Sequence, residues 1–184
     1  MLVNIYLVRH GEAAAAWGTS SDPGLSEDGK LQAKKAAEQL LPSLDRNVDL
    51  VSSPLLRAQE TAIPFSKALA MDISLNGAFR EIPSPVPFEE RQAWLREFMG
   101  QGWSQQPELL TSWRDYMHSE LLAMQKPTVI FTHFMVLNTI VGLLSGREET
   151  VCFRPDNASI TQIKHNGDSL ELVSRGDELT TFVN

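Results

Sequence analysis

The sequence predicts a single α/β domain, a three-layer α/β/α sandwich on a mainly parallel sheet with antiparallel strands in a C-terminal hairpin. Three observations lead there. Short, wholly apolar β-favouring runs alternate with stretches of helical spacing, the pattern of strands buried on both faces. The C-terminal part instead alternates apolar and polar residues on either side of Asn166-Gly167, a type I′ hairpin signal. The chain has 184 residues, 42% of them hydrophobic and 21% charged, which suits one globular domain with its own core.

The elements follow in order. Leu2–Val8 is a buried strand that ends abruptly in charge and glycine, and a polar, small-residue loop over Ala13–Gly24 follows. Ser26 is the expected N-cap of a helix, with Glu27 and Asp28 in its first turn. Leu31, Ala33, Ala36, Ala37, Leu40 and Leu41 supply its apolar face and Pro42 ends it. Val48–Val51 is a second strand, followed by a helix over Leu55–Ala70 with Pro54 in its first turn and Pro64 kinking or shortening it. Asp72–Leu75 is a weaker third strand. Thr128–Phe131 is the clearest buried strand after the first and runs through Thr132-His133 into the apolar helix Met135–Leu144. Ser159–Lys164 and Ser169–Val173 form the hairpin. Between about 83 and 126, three prolines introduce a stretch with three of the four tryptophans (Trp94, Trp103, Trp113). Its spacing is helical, broken near Gly100-Gln101-Gly102, and it reads as a helical insertion packed by those tryptophans within a domain spanning 1–184.

Sixteen Lys and Arg against 23 Asp and Glu give a net charge of −7, which argues against a nucleic-acid or anionic-membrane binder. The N-terminal apolar run lacks a basic leader and no apolar run approaches bilayer length, so neither a secretory signal nor a membrane span is expected. The single cysteine, Cys152, has no partner for a disulfide and suits a reducing cytoplasm.

In open α/β sheets ligands bind beyond the carboxyl ends of the strands, and three distant segments place reactive side chains there: Arg9-His10-Gly11-Glu12, Ser53-Pro54-Leu55-Leu56-Arg57 and Thr132-His133. Two imidazoles and two guanidiniums gathered in one crevice would make an anion site, most naturally for phosphate, whose oxygens the planar arginine fork matches.

At these residues the sequence resembles the histidine phosphatase superfamily (branch 1), the phosphoglycerate-mutase-like proteins. Arg9-His10-Gly11-Glu12 matches the family's Arg-His-Gly-(Glu/Gln) after the first strand, and Ser52–Ala58, followed by Thr61-Ala62, matches its Ser-Ser-Pro-Leu-x-Arg-Ala. Val129–His133 matches its hydrophobic strand running into a histidine, and Asp22–Ser26 its turn into the first helix. The resemblance implies the phosphoglycerate-mutase-like fold and a phosphatase. His10 would attack phosphorus to form a phosphohistidine that water hydrolyses. Arg9, Arg57 and His133 would bind the phosphate and neutralise the transferring oxygens, His133 best as a cation. Glu81 would be the general acid and Glu12 an orienter of the arginines. No metal or other cofactor is implied, and the partner is a small phosphorylated substrate. Pro83-Ser84-Pro85 stands where relatives often carry Gly-x-Trp-Glu-Gly, which points away from mutase activity, and Phe134 stands where many have glycine.

Two alternatives remain open: a phosphatase of protein phosphohistidine, which needs no general acid, and a phosphate-binding module without turnover. A zinc site of His10, Glu12 and His133 is disfavoured by the flanking arginines. His118, His165 and Cys152 are read as structural residues.

Overall fold

The computed structural model describes residues 2–15, 20–44 and 47–179. Residues 16–19, within the loop expected over Ala13–Gly24, lie outside the described residues together with Met1, 45–46 and 180–184. The elements run β1 (Val3–Arg9), α1 (Glu27–Leu40), β2 (Asp49–Ser52), α2 (Leu56–Leu69), β3 (Ser74–Leu75), α3 (Arg91–Phe98), α4 (Glu108–Leu122), β4 (Thr128–Thr132), α5 (Phe134–Leu144), β5 (Ile160–His165) and β6 (Leu170–Ser174).

The six strands form one mixed sheet in the order β3-β2-β4-β1-β5-β6. β1 pairs parallel with β4, and β2 parallel with β4 and β3. β5 runs antiparallel to β1 and β6 antiparallel to β5, as the alternating C-terminal pattern predicts.

Alternation along β1 splits the core between two faces. Ile5 and Leu7 join Ile130 and Ile163 under α5 (Val136, Leu137, Ile140, Val141) and α4 (Met117, Leu121). Tyr6 and Val8 join Leu50, Val129 and Phe131 under α1 (Ala36, Ala37, Leu40) and α2 (Ala58, Ala62, Phe65). The wholly buried β4 therefore feeds both faces, which is why it carries no polar alternation. A third cluster of Ile82, Leu95, Phe98, Trp103, Leu110 and Met135 joins the segment after β3 to the start of α5. The stretch from 83 to 126 thus divides: α3 builds this third cluster, while α4 also packs on the sheet beside α5.

Several local expectations need correction. Leu31 is 59% exposed rather than on the buried face of α1. That face runs through Gly29, Ala33, Ala36, Ala37 and Leu40, and a residue two positions before Ala33 points away from it. Pro64 does not shorten α2, which continues to Leu69. A proline keeps helical φ and removes one hydrogen bond, and the buried face of Ala58, Thr61, Ala62 and Phe65 carries the helix across that loss. Pro54 precedes the N-cap, Leu55, instead of entering the first turn. The hairpin turn sits one residue later than expected: Asn166 N–H donates to the Ser169 carbonyl, so Gly167 (φ 107) and Asp168 are its central pair. Only the first central residue is glycine with positive φ, unlike a type I′ turn, and the Asn166 side chain stays outside it, accepting from the Asp168 and Ser169 amides. Among the described residues, no helix is long and apolar enough to cross a membrane.

Candidate active site

Register brings the reactive residues together. In β1 and β4, Arg9 is the partner of Thr132, and in β2 and β4, Ser52 is the partner of Phe131. β1 and β4 therefore end level, β2 stops one residue short of them, and His10, His133 and Ser53 each occupy the first position beyond their strand. Backbone bonds continue one step further: His10 N–H to the Thr132 carbonyl at 2.8 Å and Ser53 N–H to the Phe131 carbonyl at 2.9 Å.

His10 is buried, and its Nδ1 lies 2.6 Å from the Gly11 carbonyl. A carbonyl only accepts, so Nδ1 carries the proton and Nε2 keeps its lone pair. Arg57 Nε donates to that lone pair at 3.2 Å. The His133 ring lies 5.2 Å from the His10 ring, centre to centre. Arg9 donates from Nη1 to the Pro155 carbonyl at 2.8 Å, and its guanidinium lies 5.4 Å from the centre of the Phe134 ring. Phe134 thus offers its ring face to the Arg9 guanidinium.

Gly11 and Gly29 allow the chain after β1 to cross the first turn of α1. A Cβ on Gly11 would fall on the Gly29 carbonyl oxygen, and one on Gly29 on the Glu12 carbonyl oxygen. Thr61, one turn after Arg57, accepts from the Gly11 N–H at 3.0 Å and donates to the Arg57 carbonyl at 2.7 Å, tying the loop after β1 to α2.

Burial governs the protonation states. His10 is pushed down to about 3, first by desolvation and then by Arg57 and Arg9, against the opposing pull of the Gly11 carbonyl. His133 lies well below its ordinary value for the same leading reason, with His10, Arg57 and Arg9 adding to it. Burial and these neighbours thus work against the cationic His133 that the resemblance implies. Glu81 is raised, because loss of water outweighs the Ile82 N–H bond and the nearby Arg57, Arg91 and Arg9. Thr132 Oγ1 donates to the Phe79 carbonyl at 2.8 Å and so fixes the segment leading to Glu81 against the end of β4.

Arg9, His10, Arg57, Glu81 and His133 therefore form one cluster, and Glu12 does not join it. The Glu12 side chain is exposed and accepts from Ser26 Oγ at 2.7 Å, while Ser26 Oγ accepts from the Gly29 N–H as the N-cap of α1. Glu12 steadies a helix cap and not an arginine. Sequence reasoning missed three positions. Ser53 bonds to His133, Thr61 links Gly11 to α2, and Arg91 lines the open pocket beside Arg57 and Glu81 with Ser20, Ser21 and Phe88. Ser53 and Thr61 lie within the matched Ser-Ser-Pro-Leu-x-Arg-Ala segment and the Thr61-Ala62 that follows it, so their position was a usable signal. Among the described residues no group of three or more His, Cys, Asp or Glu side chains is placed to share a metal ion.

The family model of the histidine phosphatase superfamily (branch 1) matches residues 5–178. A comparison with curated proteins finds no match. Among solved structures, phosphoserine phosphatase from Entamoeba histolytica, in complex with 3-phosphoglyceric acid, aligns with a TM-score of 0.72 at 24% identity, over 95% of this chain and 97% of that one. The mycobacterial glucosyl-3-phosphoglycerate phosphatase aligns with a TM-score of 0.69 at 20% identity, over 99% of this chain and 100% of that one. With fold and strand-end cluster in agreement, the class they define is a histidine phosphatase. The chain belongs to the histidine phosphatase superfamily, branch 1.

The lowered imidazole values fix how stability responds to acid. Each histidine titrates near 6.5 when unfolded, so its neutral contribution is complete above about pH 6.5 and is lost as pH falls, for His10 toward about 3. Glu81 has the opposite sign: its contribution is complete below its unfolded value of 4.5 and declines as pH rises. The thermal midpoint is expected to drop between about pH 7 and about pH 4, and to drop less in His10→Gln, as followed by circular dichroism. Equal slopes for the two proteins would contradict this account.

Proposed function

We propose that the protein is a metal-independent phosphatase that hydrolyses a phosphomonoester of a small metabolite through a phosphohistidine on His10. The observation that carries this reading is the neutral His10 imidazole, with Nδ1–H held by the Gly11 carbonyl and the Nε2 lone pair meeting Arg57. Nε2 attacks phosphorus as the P–O ester bond breaks, and the leaving alkoxide takes the Glu81 proton. Glu81, now a carboxylate, takes a proton from water, whose oxygen attacks phosphorus as the P–N bond breaks. Inorganic phosphate leaves, and His10 and Glu81 return to their starting states. Arg57 and Arg9 stabilise the charge on the transferring oxygens in the place a metal ion holds elsewhere.

The pocket mouth supports a narrower substrate class. The alcohol half of the ester departs toward Glu81, so the residues walling Glu81 face the alcohol. Those include Arg91, Arg80, Phe88 and Gln92. Arg91 is half-buried and donates from Nη2 to the Ile82 carbonyl at 2.9 Å. On this reading Glu81 is protonated, and among the described residues neither Arg91 nor Arg80 then has an ion pair, which favours an alcohol carrying a second anionic group. The names of the Entamoeba and mycobacterial phosphatases, for phosphoserine and glucosyl-3-phosphoglycerate, accord with such a substrate. A buried protonated carboxyl beside the leaving group favours an alkyl ester over phosphohistidine, whose nitrogen needs no acid. A single, partly buried Cys152 accords with a cytoplasmic setting.

Three measurements test this. Wild type should turn over p-nitrophenyl phosphate in EDTA with an acid-labile phosphoryl label, and His10→Ala should lose both, with turnover falling on the order of 10³-fold or more. Phosphate binding without turnover in the wild type would mark a binding module instead. Glu81→Gln should cost about 10²–10⁴-fold on an alkyl phosphate but little on p-nitrophenyl phosphate, whose phenolate leaves unprotonated. It should also remove the alkaline fall in kcat/KM, because activity needs Glu81 protonated and declines as pH rises through its raised value. Arg91→Gln should reduce kcat/KM for 3-phosphoglycerate about 10–100-fold, the size of a lost charge-assisted hydrogen bond, and leave glycerol 3-phosphate nearly unchanged.

A further inference from the structure

Ser53 is fully buried at the end of β2, and its Oγ lies 2.7 Å from His133 Nε2. The same oxygen accepts a hydrogen bond from the Leu55 N–H at 3.2 Å. Its own proton still needs an acceptor, and among the described residues the His133 ring nitrogen is the one in hydrogen-bond contact. The Ser53 backbone is held on both sides, its N–H by the Phe131 carbonyl and its carbonyl by Ser52 Oγ at 2.8 Å, so the hydroxyl stays where it is.

A neutral His133 has two tautomers, and the hydrogen bonds distinguish them. A proton on Nε2 would be donated to Ser53 Oγ, leaving both the serine hydroxyl proton and the Nδ1 lone pair unpartnered in the interior. A proton on Nδ1 lets the hydroxyl donate to Nε2 and leaves a single unpartnered group, the Nδ1–H. Among the described residues His133 Nδ1 is buried without a hydrogen-bond partner, and Arg9 Nε shares that condition. Both orphan nitrogens belong to the cluster around His10, and a buried donor left without an acceptor calls for a ligand that completes it. A phosphoryl oxygen supplies what each one lacks.

We propose that Ser53 is a positioning residue whose hydroxyl holds His133 in the Nδ1–H tautomer, making Nδ1 a standing donor to an oxygen of the transferring phosphoryl group. The proposal rests on the phosphatase reading above. It also accounts for a second imidazole that serves an anion while uncharged: donation needs the proton in the right place, not a net charge. When the phosphoryl dianion arrives it stabilises any positive charge on the ring, so the same contact strengthens as the reaction proceeds.

The test is a long-range 15N–1H correlation spectrum of the full chain labelled at histidine, at neutral pH, with Ser53→Ala and Ser53→Thr alongside. The wild type should show His133 protonated on Nδ1 and bare on Nε2, and inorganic phosphate should shift Nδ1. Ser53→Ala should move the proton wholly or partly to Nε2 and lower kcat on p-nitrophenyl phosphate about tenfold or more, with KM changed much less. Ser53→Thr keeps a hydroxyl and should keep both the tautomer and most of the rate. A wild-type His133 protonated on Nε2 would overturn the proposal, as would an Ser53→Ala protein with unaltered tautomer or unaltered kcat. The wild-type spectrum needs no substitution, so a variant that fails to fold does not rescue the idea. It needs no turnover either. An inactive wild type with an Nδ1–H His133 would count against the phosphatase reading alone, and an active one with an Nε2–H His133 against the Ser53 assignment alone.

Discussion

Everything at the site depends on the parallel register of three strands. β1 and β4 end level, with Arg9 beside Thr132, and β2 ends one residue earlier, with Ser52 beside Phe131. A slip of one residue would turn each strand's side chains to the opposite face, so the two-sided core defends this alignment strongly. Tyr6 and Val8 would have to exchange faces with Ile5 and Leu7. The energy that holds the catalytic geometry therefore resides in apolar contacts well below it, and His10, Ser53 and His133 inherit their positions from packing they do not take part in.

Above that platform, two opposing effects set the chemistry. Arginines favour carboxylate and disfavour imidazolium, while burial disfavours both charges. At the histidines the two effects act together, and both rings are neutral. At Glu81 they oppose each other and burial prevails, so its carboxyl is raised above the ordinary range despite three neighbouring guanidiniums. The neutral imidazoles and the raised carboxyl thus arise from one cause, the exclusion of water.

The central strands were legible because β1 and β4 are apolar on both faces, and two of the three site segments, those of His10 and His133, directly follow them. What depends on contacts between distant segments was not. The charge of His133 follows from its complete burial and from His10, Arg57 and Arg9 around it, which no local pattern encodes. Glu12 looked like a partner for arginine because it stands in their motif, yet the crossing at Gly11 and Gly29 turns it toward the cap of α1. Phe134 was visible only as a departure from relatives; that it lies over Arg9 emerges when β4 and β1 pair. Leu31 and Pro64 show a different limit, since a helix is positioned by its whole buried face and individual residues are carried along.

The bond from Arg57 Nε to His10 Nε2 has a consequence for unwanted chemistry. The one basic lone pair of the imidazole is engaged by the guanidinium, so a passing alkylating or acylating agent meets a masked nitrogen. A tetrahedral oxyanion brings oxygens that a guanidinium prefers to an aromatic nitrogen. Under the proposed reaction, the substrate's own phosphoryl oxygens would therefore draw the arginine aside and bare the nitrogen beneath it.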